Sequence, residues 1–214
     1  MEHFREDAPQ SENVKQTKKN YKEIFEWLDV IVTSMIAVVV IFTFIFRLVT
    51  IVGDSMQNTF YSGEKIVITK LFYKPQFGDV VVVSRNASNV AKNQNSTNEP
   101  IIKRVIATGG QYVDIDFQKG KVYVGHELGN MKELNEPYTK TPTNARADVE
   151  FPLYVPEGYV FVLGDNRNDS KDSRFKEIGE DGLINEKYIL GKAVLRVFPF
   201  DRVGKISPVE GVLK

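Results

Sequence analysis

The chain has 214 residues, 28 Lys and Arg against 28 Asp and Glu, no Cys, and His only at His3 and His126. That length suits one sizeable domain with an appendage, and balanced charge gives no electrostatic ground for a nucleic-acid partner. Without Cys there are no disulfides, thiolate nucleophiles or Cys metal sites, and two His exclude a His-rich metal cluster. No cofactor or metal is implied, so any chemistry has to come from Ser, Lys, Asp, Glu, Arg or the backbone.

Residues 1–20 are polar and charged with little apolar periodicity, which predicts a mobile tail. Tyr21, Ile24, Phe25 and Leu28 then recur at helical spacing and lead into 30–46, 17 residues without a charge. With Trp27 at one interface and Arg47 snorkelling at the other, residues 21–49 read as a juxtamembrane and transmembrane helix that spans a bilayer once. The bulky Arg47-Leu48-Val49-Thr50-Ile51 offers no small-x-small site, which argues against a cleaved signal. Apolar character on all sides argues against a buried core helix. Lys15, Lys18, Lys19 and Lys22 precede the span, whereas Arg47 is the sole basic residue from Phe46 to Glu64. The bias predicts a cell-membrane protein with a cytoplasmic N-terminus and residues 50–214 outside.

Beyond the span, β-branched runs recur at 50–52, 65–69, 79–84, 101–107, 112–117, 121–124, 159–163 and 192–197, punctuated by turn residues. No long amphipathic helix interrupts them. A mainly β domain is expected, an antiparallel sandwich or barrel-like sheet, with a mobile Asn-rich loop over 86–99.

Three places could carry chemistry. Gly53-Asp54-Ser55-Met56 sits where an apolar strand ends, and only eight residues separate Ser55 from Arg47, so Ser55 lies within about 30 Å of the membrane surface. Alone, such a Ser is more often a turn residue than a nucleophile. Lys103 shares a strand face with Ile101 and Val105, opposite Ile102, Arg104 and Ile106. Such a Lys usually snorkels or pairs with a carboxylate; held dry, its pKa falls toward neutrality and the amine can take a proton from a hydroxyl. The run 164–174 (GDNRNDSKDSR) fails as an EF-hand because the sixth position from Asp165 is Ser170 instead of Gly. Interleaved Asp and Arg would pair internally and hold the loop rigid, with Ser170 placed to orient a Lys. Ser62-x-x-Lys65 and Ser173-x-x-Lys176 match the S-x-x-K pattern of penicillin-recognising enzymes, but the companion elements are missing.

Together, the single span, the G-x-S-M just beyond it, the Lys103-Arg104 pair and the G-D-N-R-x-x-S-x-D-S-R run resemble type I signal peptidases. The resemblance runs from the span to the C-terminus; Gly78-Asp79-Val80-Val81-Val82, Leu134-Asn135-Glu136-Pro137-Tyr138 and Gly191-Lys192-Ala193 also look like family segments. It implies a membrane-bound serine endopeptidase that removes signal peptides from exported preproteins after small-x-small sites. Ser55 would be the nucleophile, Lys103 its neutral general base, and Ser170 the hydroxyl that orients the amine. Asp172 and Arg174 would brace the loop. The position of a side-chain oxyanion donor holds Gly53, leaving backbone donors. Asn58 replaces a usual Pro, and 107–111 depart from a common G-x-P-G-D type segment.

A substrate strand lying between 50–53 and 100–102 would present alternate side chains to one wall, where Ile51, Val52, Met56, Ile101 and Ile102 would leave shallow pockets. The expected partners are exported preproteins and membrane lipid, without nucleic acid; the oligomeric state is not expressed in the sequence. Two other readings stay open: an anchored β-domain that binds a surface partner without catalysis, and a self-cleaving Ser-Lys protease, against which the span argues.

Overall fold

The computed structural model describes residues 10–84, 100–206 and 212–213, which leaves the expected loop over 86–99 outside the described residues. The chain divides into two compact units at Ile45 and Phe46. The first is one helix, α1 (Gln10–Phe44), whose 23-residue stretch Tyr21–Thr43 is long enough and, over its later part, apolar enough to cross a membrane. Helix therefore already begins within the segment expected to be a tail.

At its other end α1 stops at Phe44, short of the expected Val49. The reason lies in the residues that follow. Phe46–Thr50 form a strand, β1, whose five residues pair with β2 (Lys65–Thr69) from Phe46 opposite Thr69 to Thr50 opposite Lys65. Backbone groups of β2 that a longer helix would leave unpaired are satisfied by this ladder. The strand expected at 50–52 is thus displaced toward the N-terminus.

The second unit continues with β3 (Val80–Val83), β4 (Ile101–Thr108), β5 (Gln111–Asp116), β6 (Lys121–Gly125), β7 (Lys132–Asn135), β8 (Leu153–Val155), β9 (Tyr159–Leu163), β10 (Ile184–Asn185), β11 (Ile189–Phe198), β12 (Gly204–Lys205) and β13 (Val212–Leu213). One sheet, curled into a half-barrel, has the order β1-β2-β11-β3-β4-β9-β10, with β12 on β11. The other has the order β13-β7-β6-β5-β8, and every named pairing is antiparallel. The chain passes between sheets at the β4–β5 turn, where Gly110 takes φ +82°, a value L side chains rarely adopt.

Runs of β-branched residues become central strands because both of their faces are covered. Val80–Val83 is buried at all four positions. One core cluster gathers Ile106, Val113, Val122, Phe161 and Leu163, and lies where the two sheets meet. The opposite alternation of β4 sends Ile102 into a cluster with Ile51, Met56, Phe60 and Ile68, while Val105 joins Val81, Val83 and Val162. Strand β4 therefore runs through the middle of the protein, and a polar residue on it is dry unless it reaches a partner.

Candidate active site

Ser55 is positioned by what happens after β1. Ile51 stays tied to the neighbouring turn, its N–H donating to Glu64 O at 2.8 Å and its O accepting from Gly63 N at 2.9 Å. Gly53, at φ +85°, then redirects the chain, and Gln57 N donates to Asp54 O at 3.1 Å. The turn around Ser55 is clamped by a residue 112 positions further along the chain than Asp54. Asn166 N donates to Ser55 O at 2.9 Å, and Asn166 Nδ2 donates to Asp54 O at 3.2 Å.

Lys103 comes from β4, where it is opposite Val81 of β3 and only 3% exposed. Its Nζ donates to Ser55 Oγ at 2.8 Å and to Ile102 O at 3.0 Å. Desolvation lowers its pKa from 10.5 to about 8, outweighing the opposing pull of Asp172 and Asp165, and Arg174 pushes the same way as burial. An amine in hydrogen-bonding reach of a hydroxyl, and neutral in a sizeable fraction near physiological pH, can accept that hydroxyl's proton.

The expectation for Ser170 is not seen in the geometry. Its Oγ is buried and has no hydrogen-bond partner among the described residues, and the Lys103 amine is directed to Ser55 and Ile102 instead. Ser170 does lie against the same place: a Cβ on Gly164 would sit 2.1 Å from Ser170 Oγ and 2.6 Å from Ser55 O. Gly164 is the space between the two serines.

Asp172 and Arg174 are both buried and pair through Nε to Oδ1 at 2.8 Å and Nη2 to Oδ2 at 3.0 Å. Asp172 Oδ2 also accepts from Gly164 N at 3.0 Å, and Arg174 Nη1 donates to Ala145 O at 2.8 Å, so the pair closes the 164–174 loop on itself. The other charges of that loop reach outward, contrary to purely internal pairing. Asp165 receives Arg104 of β4 at 2.8 and 2.6 Å and a bond from Thr59 Oγ1. Arg167 donates to Glu136 Oε2 at 2.8 Å and Thr143 Oγ1 at 2.6 Å. Thr59, Arg104, Glu136 and Asn166 escape a sequence reading because each partner is far away in the chain; the Lys103-Arg104 dipeptide, with its two cations on opposite strand faces, is the one local sign.

Of the expected substrate wall, Ile51, Met56 and Ile102 pack together as buried core, whereas Val52 is 67% exposed. Ile101 packs with Val81 and Val83 on the other face of β4, so it does not share a wall with Ile102. Among the described residues no three His, Asp or Glu side chains converge as metal ligands.

A family described as "Signal peptidase, peptidase S26" matches residues 24–198. A signal peptidase I of Leptolyngbya laminosa is 31% identical over 205 residues, 94% of this chain and 93% of that protein. Signal peptidase I P of Bacillus subtilis subsp. natto is 30% identical over 196 residues, covering 87% of this chain and 95% of that one. Signal peptidase IB of Staphylococcus aureus (strain COL) is 32% identical over 200 residues, with 84% and 92% covered. A solved signal peptidase I from Enterococcus faecalis V583 aligns with 56% of this chain at 24% identity and a TM-score of 0.39, a likeness too slight to add to these.

Proposed function

This chain belongs to the signal peptidase family, peptidase S26, and from that membership we propose that it is a membrane-anchored endopeptidase that cuts signal peptides from exported preproteins with a Ser55–Lys103 dyad. The observation that carries the dyad is the 2.8 Å approach of a desolvated amine to the Ser55 hydroxyl.

In the proposed reaction the neutral Lys103 amine takes the Ser55 proton as Oγ forms a bond to the scissile carbonyl carbon. Negative charge moves onto the carbonyl oxygen. Gly53 has no side chain to meet it, so the backbone N–H of Ser55 is the proposed donor. The Lys103 ammonium then protonates the departing amine as the C–N bond breaks, leaving an ester on Ser55 and a neutral base again. Water repeats the sequence: Lys103 takes its proton, the hydroxyl attacks the ester, and Oγ leaves as the hydroxyl it was. Asn166 donates to the Asp54 and Ser55 carbonyls, one on each side of the Ser55 Cα, and thereby keeps Oγ aimed.

The proposal includes a preference for small residues before the cut, supported by the packing near Ser55. Ile51, Met56 and Ile102 are already packed against one another, so a substrate side chain beside them meets a filled surface. The 23-residue stretch Tyr21–Thr43 makes a helix of about 35 Å, enough to cross a bilayer core of about 30 Å. Lys15, Lys18 and Lys19 before the span and Lys22 in its first turn, against Arg47 after it, favour a cytoplasmic N-terminus and an outer catalytic domain.

The test is cleavage of a preprotein bearing an Ala-x-Ala site by the full chain in detergent micelles. Product from the unmodified chain and none from Ser55→Ala is expected. Undiminished product from Ser55→Ala would remove the dyad from the reaction.

A further inference from the structure

The peptide group joining Asp165 to Asn166 is gripped from both sides. Its N–H donates to Ser55 O at 2.9 Å, and its carbonyl accepts from Lys140 N at 2.9 Å. Across one peptide group those two atoms are less than about 9 Å apart, so Lys140 is fixed beside the nucleophile. Its side chain reaches back the same way. Lys140 Nζ donates to Gln57 Oε1 at 2.6 Å, and Gln57 Nε2 donates to Oδ1 of exposed Asp54 at 2.7 Å.

Lys140 also lines a hollow of about 300 Å³ together with Lys119, Lys121, Glu133, Glu136 and Pro142. The other charges of that hollow are already paired. Lys119 meets Asp116 at 3.1 Å, Lys121 meets Glu133 at 3.0 Å, and Glu136 accepts from buried Arg167 at 2.8 Å. Among the described residues no carboxylate pairs with the Lys140 ammonium, and Gln57 stands between it and Asp54. A cation bonded to one neutral amide keeps two donors for an anionic group.

The order of contacts along β4 indicates which part of a substrate passes there. Ile101 and Ile102 come first, then Lys103 against Ser55, then Arg104 against Asp165. Pairing with β9 begins at Arg104 opposite Leu163, so beside 101–103 that edge of β4 has no strand among the described residues. On the peptidase reading, a precursor comes out of the bilayer with the residues before the cut nearest to it. Strand β1, which begins at Phe46 where α1 ends at Phe44, leads from the span toward Ser55 in the same way. Residues before the cut then run along 50–53 and 101–103, and those after it leave on the opposite side of Ser55, past Asp165, Gln57 and Lys140.

We propose that Lys140 selects an acidic side chain within the first three residues after the cut, which enters the hollow and pairs with the ammonium. The inference rests on the peptidase reading. An extended chain advances about 3.3 Å per residue, so one to three residues cover the distance from Ser55 to Lys140. Because Lys140 is exposed, the pair changes the rate a few-fold and weakens in salt. Lys140 thereby ranks sequences for cleavage and takes no part in the bond chemistry.

The test measures kcat/KM of the full chain in non-ionic detergent on soluble peptides with one Ala-x-Ala site, carrying Glu or Lys at position 1, 2, 3 or 6 after the cut. The unmodified chain should favour Glu over Lys about fivefold at one of the first three positions and show no preference at the sixth. Each ratio is taken within one preparation, so the folded fraction cancels. Lys140→Arg should keep the preference, Lys140→Met should abolish it and Lys140→Glu should invert it. Salt at about 1 M should erase it in the unmodified chain. Lys205→Gln, on exposed β12, should leave the preference as it is. Absence of a preference at positions 1 to 3, an equal one at position 6, or one that survives Lys140→Glu overturns the inference alone. Cleavage of none of the peptides, or equal cleavage by Ser55→Ala, defeats the peptidase reading and this inference with it.

Discussion

The Lys103 amine lies 2.8 Å from Ser55 Oγ, on a strand whose six central residues are all buried, and burial brings its pKa down to about 8. If the neutral amine is the base, kcat/KM should rise about tenfold per pH unit below about pH 8 and level off above it. Lys103→Arg should be as inactive as Lys103→Ala, because guanidinium does not deprotonate in this range. A pH–rate profile with the same preprotein checks both.

The same burial has a cost in stability that can be separated from catalysis. The folded pKa of about 8 lies below the ordinary 10.5, so between these values the unfolded chain holds the proton more tightly. Stability should therefore rise with pH across that window, and the full cost, about 3 kcal/mol, applies below it. Lys103→Met should be inactive yet more resistant to urea than the unmodified chain at pH 7, with the difference shrinking between about pH 8 and 10.5. Urea titrations in detergent at several pH values measure this.

Gly164→Ala should be a severe change for a single methyl group. Its Cβ would fall 2.1 Å from Ser170 Oγ and 2.6 Å from Ser55 O, and the latter is backbone that cannot rotate away. Stability should fall by about 1–3 kcal/mol. Activity should fall by about a hundredfold, since small misplacements of a reacting group are that costly. Parallel thermal melts and single-turnover cleavage distinguish the two losses.

Ser170→Ala should separate positioning from folding. It removes a buried oxygen that has no partner, so the melting temperature should hold or rise. If the hydroxyl turns to the amine during the reaction, kcat should fall, though less than for loss of Ser55 or Lys103, and the pH–rate midpoint should move. An unchanged profile would assign Ser170 to packing against Gly164.

Arg104→Met should strand the Asp165 carboxylate in the interior, because that bidentate pair is fully buried. The expected loss is about 3–5 kcal/mol in chemical denaturation, and Arg104→Met with Asp165→Leu should lose less than the two single changes added together.

Much of the architecture is legible from local chemistry. The runs at 65–69 and 159–163 coincide with β2 and β9 because β-branched and aromatic residues between turn signals leave little choice. Strand β7 is invisible by that criterion: Lys132–Asn135 is mostly polar and buries Leu134 alone. The helix end is misread because Ile45, Phe46, Leu48 and Val49 continue the apolar character of the helix, and pairing with β2 decides the matter. At the site, Ser55 and Lys103 are singled out by motif, and Arg104 stands beside Lys103 in it, but its pairing with Asp165, 61 residues away, is not readable. The pairing of Asp172 with Arg174 is readable at a separation of two residues. The partner-free state of the Ser170 hydroxyl is set by packing that only three dimensions contain.

Contacts that shape this site span long stretches of polypeptide: 48 residues between Ser55 and Lys103, and 112 between Asp54 and Asn166. A chain still being synthesised or translocated has the hydroxyl long before it has the clamp, and bulk water around an unstructured lysine keeps the amine protonated. With the proposed dyad, hydrolytic competence would arrive late, with closure of the sheet, and a partly made molecule would be harmless to itself and to its neighbours.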